Sequence, residues 1–199
     1  MAPAHGELLV GCGIFRREVE FLIRKNRWTL RTEFLDSSLH IDLRALQQQL
    51  TGALDRHREE RPIVFYGCCH PLMERFLAKA SCLRTEGQNC VEMLLGRERF
   101  MAELEHGAFF LLEDWAHRWH QIMGQTFSGN WPVAREIFQQ CHRYLLAIRT
   151  PLSEDFRSAA EQAAASVELP LRWTDSGLEH LERVLQNAVE RRHQMPIAP

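Results

Sequence analysis

Along this chain the apolar positions switch repeatedly between short unbroken runs and the three-and-four spacing of amphipathic helices. Leu8–Cys12 is predicted as a first strand. Ile14–Asn26 follows as a helix with Phe15, Val19, Leu22 and Ile23 on one face. Thr29–Leu35 has the β-branched and aromatic content of a second strand. Asp36 to Ser38 offer a cap, and Leu43–His57 repeats Leu43, Leu46, Leu50 and Leu54 at helical spacing. Ile63–Tyr66 is wholly apolar, as in a strand buried on both faces. A helix over Leu72–Ala80, a brief strand over Leu83–Thr85, a helix over Val91–Leu104, a strand over Ala108–Leu112 and a helix over Trp115–Met123 come next. Gly124–Pro132 is the clearest loop, with two Gly, a Ser, an Asn and a Pro. Beyond it are a helix over Val133–Cys141, a strand over Tyr144–Arg149 and an alanine-rich helix over Ser153–Ala165 capped by Ser153. The last strand is Leu169–Thr174 and the last helix Gly177–Arg191, with Gln194–Pro199 a loose tail.

Strands alternating with helices of this length imply parallel βαβ units with right-handed crossovers. The expected fold is α/β, a single domain over 1–199 with a mainly parallel sheet and helices on both faces, Rossmann-like and doubly wound. A two-lobe division near 124–132 is the alternative, and it leaves each lobe a thin core.

Composition narrows the partners. With 24 basic and 26 acidic residues among 199, the formal net charge is -2, so no basic stripe invites nucleic acid. No run approaches the roughly 20 apolar residues of a membrane span. The opening MAPAHGELLVGCG carries no positive n-region, so no secretory signal is expected. Six cysteines without such a signal point to reduced thiols in a cytoplasmic protein rather than to a disulfide framework.

Four of those cysteines stand at three places where strands should end or turn. Cys12 closes the first strand, Cys68 and Cys69 follow the third, and Cys90 lies between a polar turn and a helix. The carboxyl ends of neighbouring parallel strands share one edge, and ligands bind in the crevice there. Thiols distant in sequence can thus face one another. Thiolates are soft ligands for zinc, copper(I) or iron–sulfur clusters. No CxxC pair is present, so a closed four-ligand zinc site is not indicated. Three thiolates, Cys12, Cys69 and Cys90, would leave one coordination position open. Neighbours on an extended segment point apart, so only one of the adjacent pair is expected to ligate, and Cys69 is the choice. The competing reading is packing, since free cysteine behaves as a small buried hydrophobe. Cys82 and Cys141 fall in helix-like segments and read as filler.

Other positions carry weaker chemistry. Gly11 and Gly13 begin like GxGxxG after a strand, and Asp36 ends the second strand where a ribose contact would stand. Arg16 occupies the third glycine's place, so a tight turn without a dinucleotide competes. An anion at that helix N-terminus is a further option. Arg17, near the presumed mouth, is a candidate for orienting an anionic substrate. Asp114, His117 and His120 recur every three residues, as ligands or as a polar helix face. Serine-hydrolase elbow, P-loop and HExxH motifs are missing from the sequence.

The segments CGIFRRE (Cys12–Glu18), EFLDSSLH (Glu33–His40), YGCCHP (Tyr66–Pro71), NCVEMLLGRERF (Asn89–Phe100), FFLLEDW (Phe109–Trp115) and GLEHLERVLQ (Gly177–Gln186) together resemble the domain-of-unknown-function family numbered 1638. Members of that family show a cysteine after the first strand, one in a Tyr-Gly-x-Cys-Gly turn and one in a His-Asp-Cys turn. These map to Cys12, Cys69 and Cys90. The chain departs from that pattern at His70, where a glycine is usual, and at Gln88-Asn89, where His-Asp is usual. The resemblance implies an α/β fold and a thiol-rich site, with the role of the lost histidine absent or moved to His70. It also implies a neighbourhood of corrinoid-dependent methyltransferases, and with it methyl-group chemistry.

These readings lead to a cytoplasmic protein that binds zinc or an iron–sulfur cluster through Cys12, Cys69 and Cys90, with a small-molecule ligand at the open position, in sulfur or one-carbon (methyl) transfer. The alternatives are a non-catalytic partner of a methyltransferase or corrinoid protein with structural cysteines, and a nucleotide- or anion-binding module using Gly11, Gly13 and Asp36.

Overall fold

The computed structural model describes residues 6–194. The chain is α/β, and every strand pairing is parallel, in a Rossmann-like arrangement. The strands divide between two sheets, each in its own compact unit. The first unit takes the chain as far as Met93 and again from Glu179 onward; the second is Leu94–Leu178. The loop predicted at Gly124–Pro132 lies inside the second.

In the first unit, β1 (Glu7–Cys12) runs beside β2 (Leu30–Leu35) on one side and β3 (Ile63–Phe65) on the other, and β4 (Leu83–Arg84) lies beyond β3. Leu9 and Val10 of β1 and all of β3 are buried, as unbroken apolar runs require. Three helices link the strands: α1 (Arg16–Asn26), α2 (Leu43–Arg56) and α3 (Met73–Ala80). Leu46, Leu50, Ala53 and Leu54 of α2 meet Leu8, Val10 and Val64 in one apolar cluster. Asp42 starts α2 by accepting hydrogen bonds from the backbone N–H groups of Arg44 and Ala45, both 3.0 Å. Asp36 caps only a 3₁₀ turn, Ser37–Ile41.

The stretch expected as one helix over Val91–Leu104 is two, α4 (Cys90–Leu95) and α5 (Arg97–Glu105). Gly96 separates them with φ +81°, a conformation an ordinary side chain resists. In the second unit β5 (Ala108–Leu111), β6 (Tyr144–Arg149) and β7 (Leu171–Asp175) lie in sequence order, with β6 central. The helices here are α6 (Glu113–His117), α7 (Trp119–Thr126), α8 (Trp131–Cys141) and α9 (Arg157–Val167). Gly124 belongs to α7, and Asn130 caps α8, so the predicted loop shrinks to a turn. Ser153 does not cap α9: its Oγ accepts from the Thr150 N–H at 2.9 Å, four residues before the helix begins. Ala160, Ala163 and Ala164 bring α9 close to a core of Leu111, Leu145, Ala147, Trp119 and Phe138. Trp119 is 1 % exposed, and its indole N–H donates to Ser166 Oγ at 2.7 Å.

The C-terminal helix α10 (Glu179–Gln194) returns to the first unit against β3 and β4. Glu182 anchors it there, accepting from Lys25 and Asn26 at 2.7 Å each. Residues 195–199, most of the predicted tail, lie outside the described residues. No helix among the described residues is long and apolar enough to cross a membrane.

Edge strand β2 is held by a charged clasp. His57, at the end of α2, places Nε2 2.6 Å from Glu33 and Nδ1 2.9 Å from Glu60. Arg56 also pairs with Glu33, and Arg31 with Glu60. An imidazole can donate from both nitrogens only as the cation. Its pKa is accordingly raised, by the Glu60 hydrogen bond first, with burial opposing and Glu33 adding to the rise. Burial pushes Glu33 up, but His57 and Arg56 outweigh it and hold the carboxyl below its usual range; His57 and then Arg31 lower Glu60 against burial. The raised imidazole stabilises the fold fully below its ordinary value of 6.5 and loses that contribution as pH rises through the folded value. The lowered carboxyls contribute above their ordinary 4.5 and lose it as pH falls through their folded values. His57→Gln should therefore destabilise most between about pH 4.5 and 6.5 and least above about pH 8. Urea unfolding across that range reads the difference, and a gap that widens with rising pH would refute the clasp.

Candidate functional site

The strand order β2-β1-β3-β4 reverses direction between β1 and β3: the chain goes outward from β1 to β2, then crosses back to β3 and outward the other way. Ligands of open parallel sheets bind at the carboxyl edge of such a reversal. Cys12 is the last residue of β1, and Tyr66-Gly67-Cys68-Cys69 leaves β3. Val10 and Val64 are paired in register, so Cys12 and Tyr66, two residues further on, continue the same face of the sheet. Cys12 and Cys69 pack against the cluster that contains Tyr66, Val10, Val64, Leu46 and Met73.

Cys90 reaches this edge through the turn after β4. Gly67 is so close to that turn that a Cβ would lie 2.3 Å from the Gln88 carbonyl oxygen and 2.6 Å from Asn89 Cα. The Cys68 N–H donates to that same oxygen at 2.6 Å. On the far side, Asn89 Oδ1 accepts from the Glu92 N–H at 2.9 Å, while Glu92 accepts from the Gln88 N–H at 3.1 Å. This reciprocal bonding fixes the start of α4 at Cys90. Arg84 braces both turns: Nη1 donates to the carbonyls of Tyr66, Thr85 and Gly87 at 3.3, 2.9 and 2.8 Å, and Nε meets Glu74 at 3.0 Å. Its Nη2 lies 3.7 Å from the sulfur of Cys68, which is exposed.

Cys12 and Cys69 are both near enough to Cys90 to act on its thiol. Burial pushes the Cys90 thiol far up, and the like charges of Cys12 and Cys69 push it further, against the N–H groups of Val91 and Cys90 itself. Burial also raises Cys69; the Gly67 N–H and Arg84 oppose that, and Cys68 adds to it. Both therefore rest as neutral thiols at neutral pH. The sequence reading overlooked a fourth group, Tyr66. Its side chain is 3 % exposed, and its hydroxyl has no hydrogen-bond partner among the described residues. Burial drives its pKa far up, with Cys12, Cys69 and Asp36 adding to the effect. A Tyr ending a wholly apolar strand was the available signal, because a buried phenol normally finds a partner. In the turn after β2, His40 bonds Ser37 O through Nδ1 at 2.7 Å, and burial lowers its pKa, so the neutral ring has Nε2 as its acceptor nitrogen.

The donor chemistry fits a soft metal, but the arrangement is not a ready-made coordination shell: among the described residues, no group of three or more His, Cys, Asp or Glu stands assembled to hold an ion. The other candidates take structural roles. Gly11 lies where a Cβ would come within 2.6 Å of Phe65 Cβ, and at Gly13 a Cβ would meet Leu35 O at 2.9 Å, so strand packing explains both. Asp36 Oδ1 accepts from the Ser38 N–H and hydroxyl at 2.8 and 2.6 Å. Arg17 is exposed on α1. His70 is 7 % exposed, with Nδ1 accepting from the Leu72 N–H at 2.9 Å and its ring against Phe76, so it shapes the entry to α3. Cys82 lies between α3 and β4 rather than in a helix, and burial lifts its thiol to about 11. Cys141 ends α8, exposed. In the second unit Asp114 pairs with Arg118 at 3.8 Å, and a helix break at Arg118 separates His117 from His120. Both histidines line a cavity of about 330 Å³ with Trp119, Asp155, Phe156 and Gln162.

The family model for "Protein of unknown function (DUF1638)" matches residues 34–185 of the 199. The chain belongs to that family. The match includes Asp36, Tyr66, Cys69 and Cys90 but begins after Cys12, so the three-cysteine pattern is not a property the match carries. No curated protein matches the chain. No solved structure matches it.

If the Gly67 approach holds the thiols together, Gly67→Ala should destabilise the protein by about 1–3 kcal/mol, because rigid backbone cannot yield to the new methyl. Cys90 should then label faster with a thiol reagent. Gly124→Ala, in open space on α7, should be neutral or stabilise by up to about 1 kcal/mol. Equal responses from the two variants would mean the contact is not restrictive.

Proposed function

We propose that this protein binds a soft metal ion or an iron–sulfur cluster through Cys12, Cys69 and Cys90 at the carboxyl edge of its first sheet. The observation that supports the reading is that Cys12, at the end of β1, and Cys69, in the turn after β3, both raise the cost of ionising Cys90 at the start of α4. Binding has to release the protons of Cys69 and Cys90, whose environment favours the neutral thiols. A divalent cation supplies the charge that makes thiolates stable there, so uptake is pH-dependent. When bound, such a centre offers a Lewis-acidic fourth position, where sulfur or one-carbon transfer to a thiol would take place.

A second reading has its own support. Cys12, Cys69 and Cys82 all pack against the same apolar cluster, as small hydrophobes do. On that reading the protein is a partner or assembly factor for a methyltransferase and holds no metal.

Metal analysis of protein made anaerobically with iron, sulfide and zinc supplied separates the two. The first reading expects about one metal site per chain, lost in Cys12→Ser, Cys69→Ser and Cys90→Ser and kept in Cys68→Ser, whose side chain is exposed beside Arg84. Metal-free wild-type protein under those conditions, or equal loss from Cys68→Ser, would overturn it. Brown, air-bleached protein identifies a cluster, and colourless protein with zinc a zinc centre.

A further inference from the structure

Strand β2 is an open edge. Among the described residues, no strand lies beyond it, and no backbone bond from a turn or loop reaches Leu30, Thr32 or Phe34. A Cβ on Gly6 would lie 2.5 Å from the Thr29 carbonyl oxygen, and one on Gly13 2.9 Å from that of Leu35, so both carbonyls turn toward β1. Backbone groups alternate in direction along a strand. Those of Arg31 and Glu33 therefore serve the ladder with β1, and those of Leu30, Thr32 and Phe34 point outward.

An unpaired edge is a template for another strand, and natural sheets block it with proline, a bulge or charge. β2 has six residues, no proline and an unbroken register with β1. Its charges are Arg31 and Glu33, two apart and of opposite sign, on the same face as their neighbours Leu8 and Val10. The clasp with Arg56, His57 and Glu60 already orders both side chains there, so little rotamer freedom remains to be lost on association.

We propose that β2 pairs with β2 of a second copy of this chain, antiparallel, with Thr32 on the two-fold axis. Thr32 then faces Thr32, and Leu30 faces Phe34 of the second copy, each pair exchanging hydrogen bonds through the outward backbone groups. Arg31 comes opposite Glu33 of the second copy, on both sides of the axis, in the position where facing side chains are closest. The charges choose this register. Sliding by two residues sets Arg31 against Arg31 or Glu33 against Glu33, and like charges directly opposite are destabilising. Sliding by one residue offers the second strand backbone groups already bonded to β1. The pairing is self-complementary, so it closes at two chains and joins their four-stranded sheets. It does not depend on what the thiols bind.

Sedimentation of the full chain over a dilution series reads the mass. Wild-type protein should run at twice 23.2 kDa. Thr32→Pro removes an outward N–H that the ladder with β1 does not use. That variant should keep the wild-type circular dichroism and run at the single-chain mass. Arg31→Glu and Glu33→Arg should each run as single chains, because each sets like charges opposite one another across the axis. Mixed in equal amounts, the two should run at the double mass, since opposite charges then face each other at both positions. Local damage to the clasp would not be repaired by mixing. Wild-type protein at the single-chain mass at every dilution, a dimeric Thr32→Pro, or a mixture that stays monomeric would each overturn the proposal. So would a Thr32→Pro chain that fails to fold, because the Thr32 N–H would then be bonded within the sheet. If either charge variant does not fold, the Thr32→Pro result decides alone.

Discussion

Gly67 and the Gln88 carbonyl approach more closely than any residue with a side chain allows, and the Cys68 N–H bonds that same oxygen. This contact ties the turn leaving β3 to the turn leaving β4. Strand pairing alone cannot do so, since β4 is two residues long and offers little ladder beside β3. Arg84, on β4, then gathers three carbonyls of the two turns with one guanidinium nitrogen. A planar guanidinium holds several acceptors in fixed directions, which a lysine in its place would not do. The position of Cys90 follows from this brace and from the Asn89–Glu92 bonds at the start of α4.

Environment sorts the cysteines more sharply than sequence position does. Cys69 and Cys90 are raised by burial, and their mutual closeness adds like-charge cost to ionising more than one. Such thiols are poor nucleophiles and poor redox sensors, because the thiolate is the reactive species. Free-thiol catalysis is thus the least favoured use of Cys69 and Cys90. Cys68, adjacent in sequence, is exposed and beside a guanidinium. The two neighbours thus differ in exposure, although Cys68 still adds to the cost of ionising Cys69.

Much of this was legible in the chain. The switch from unbroken apolar runs to helical spacing located every strand to within two residues, because burial in a parallel sheet demands such runs. That Cys12 and Cys69 both pack against the cluster holding Val10 and Val64 follows from strand ends sharing an edge. Where the reading missed, the cause was local stereochemistry or capping that periodicity does not encode. Gly96 interrupts a helical pattern that continues on both sides of it, and Ser153 bonds Thr150 instead of starting α9. The roles of Gly11, Asp36 and His70 depend on neighbours across the sheet or along the turn, which a linear motif cannot see. Tyr66 was passed over because an aromatic at the end of an apolar run reads as core, and only its unbonded hydroxyl marks it otherwise.

The two sheets differ in what they can host, and the difference is topological. In the second unit the order β5-β6-β7 advances in one direction, so no pair of neighbouring strands sends its chain to opposite sides. Loops leaving β5 and β6 therefore fold back over the same side, and α6, α7 and α9 fill that space with Trp119, Phe156 and the alanines of α9. In the first unit the reversal between β1 and β3 sends the following helices apart and leaves the edge between them to Cys12, Tyr66 and Cys69. Cysteine is suited to that place: small enough to sit against Val10 and Val64, and able to become a ligand where an alanine could not. The sheet order selects where an edge crevice can form, the Gly67 contact selects which residues reach it, and burial holds the thiols of Cys69 and Cys90 in their neutral form.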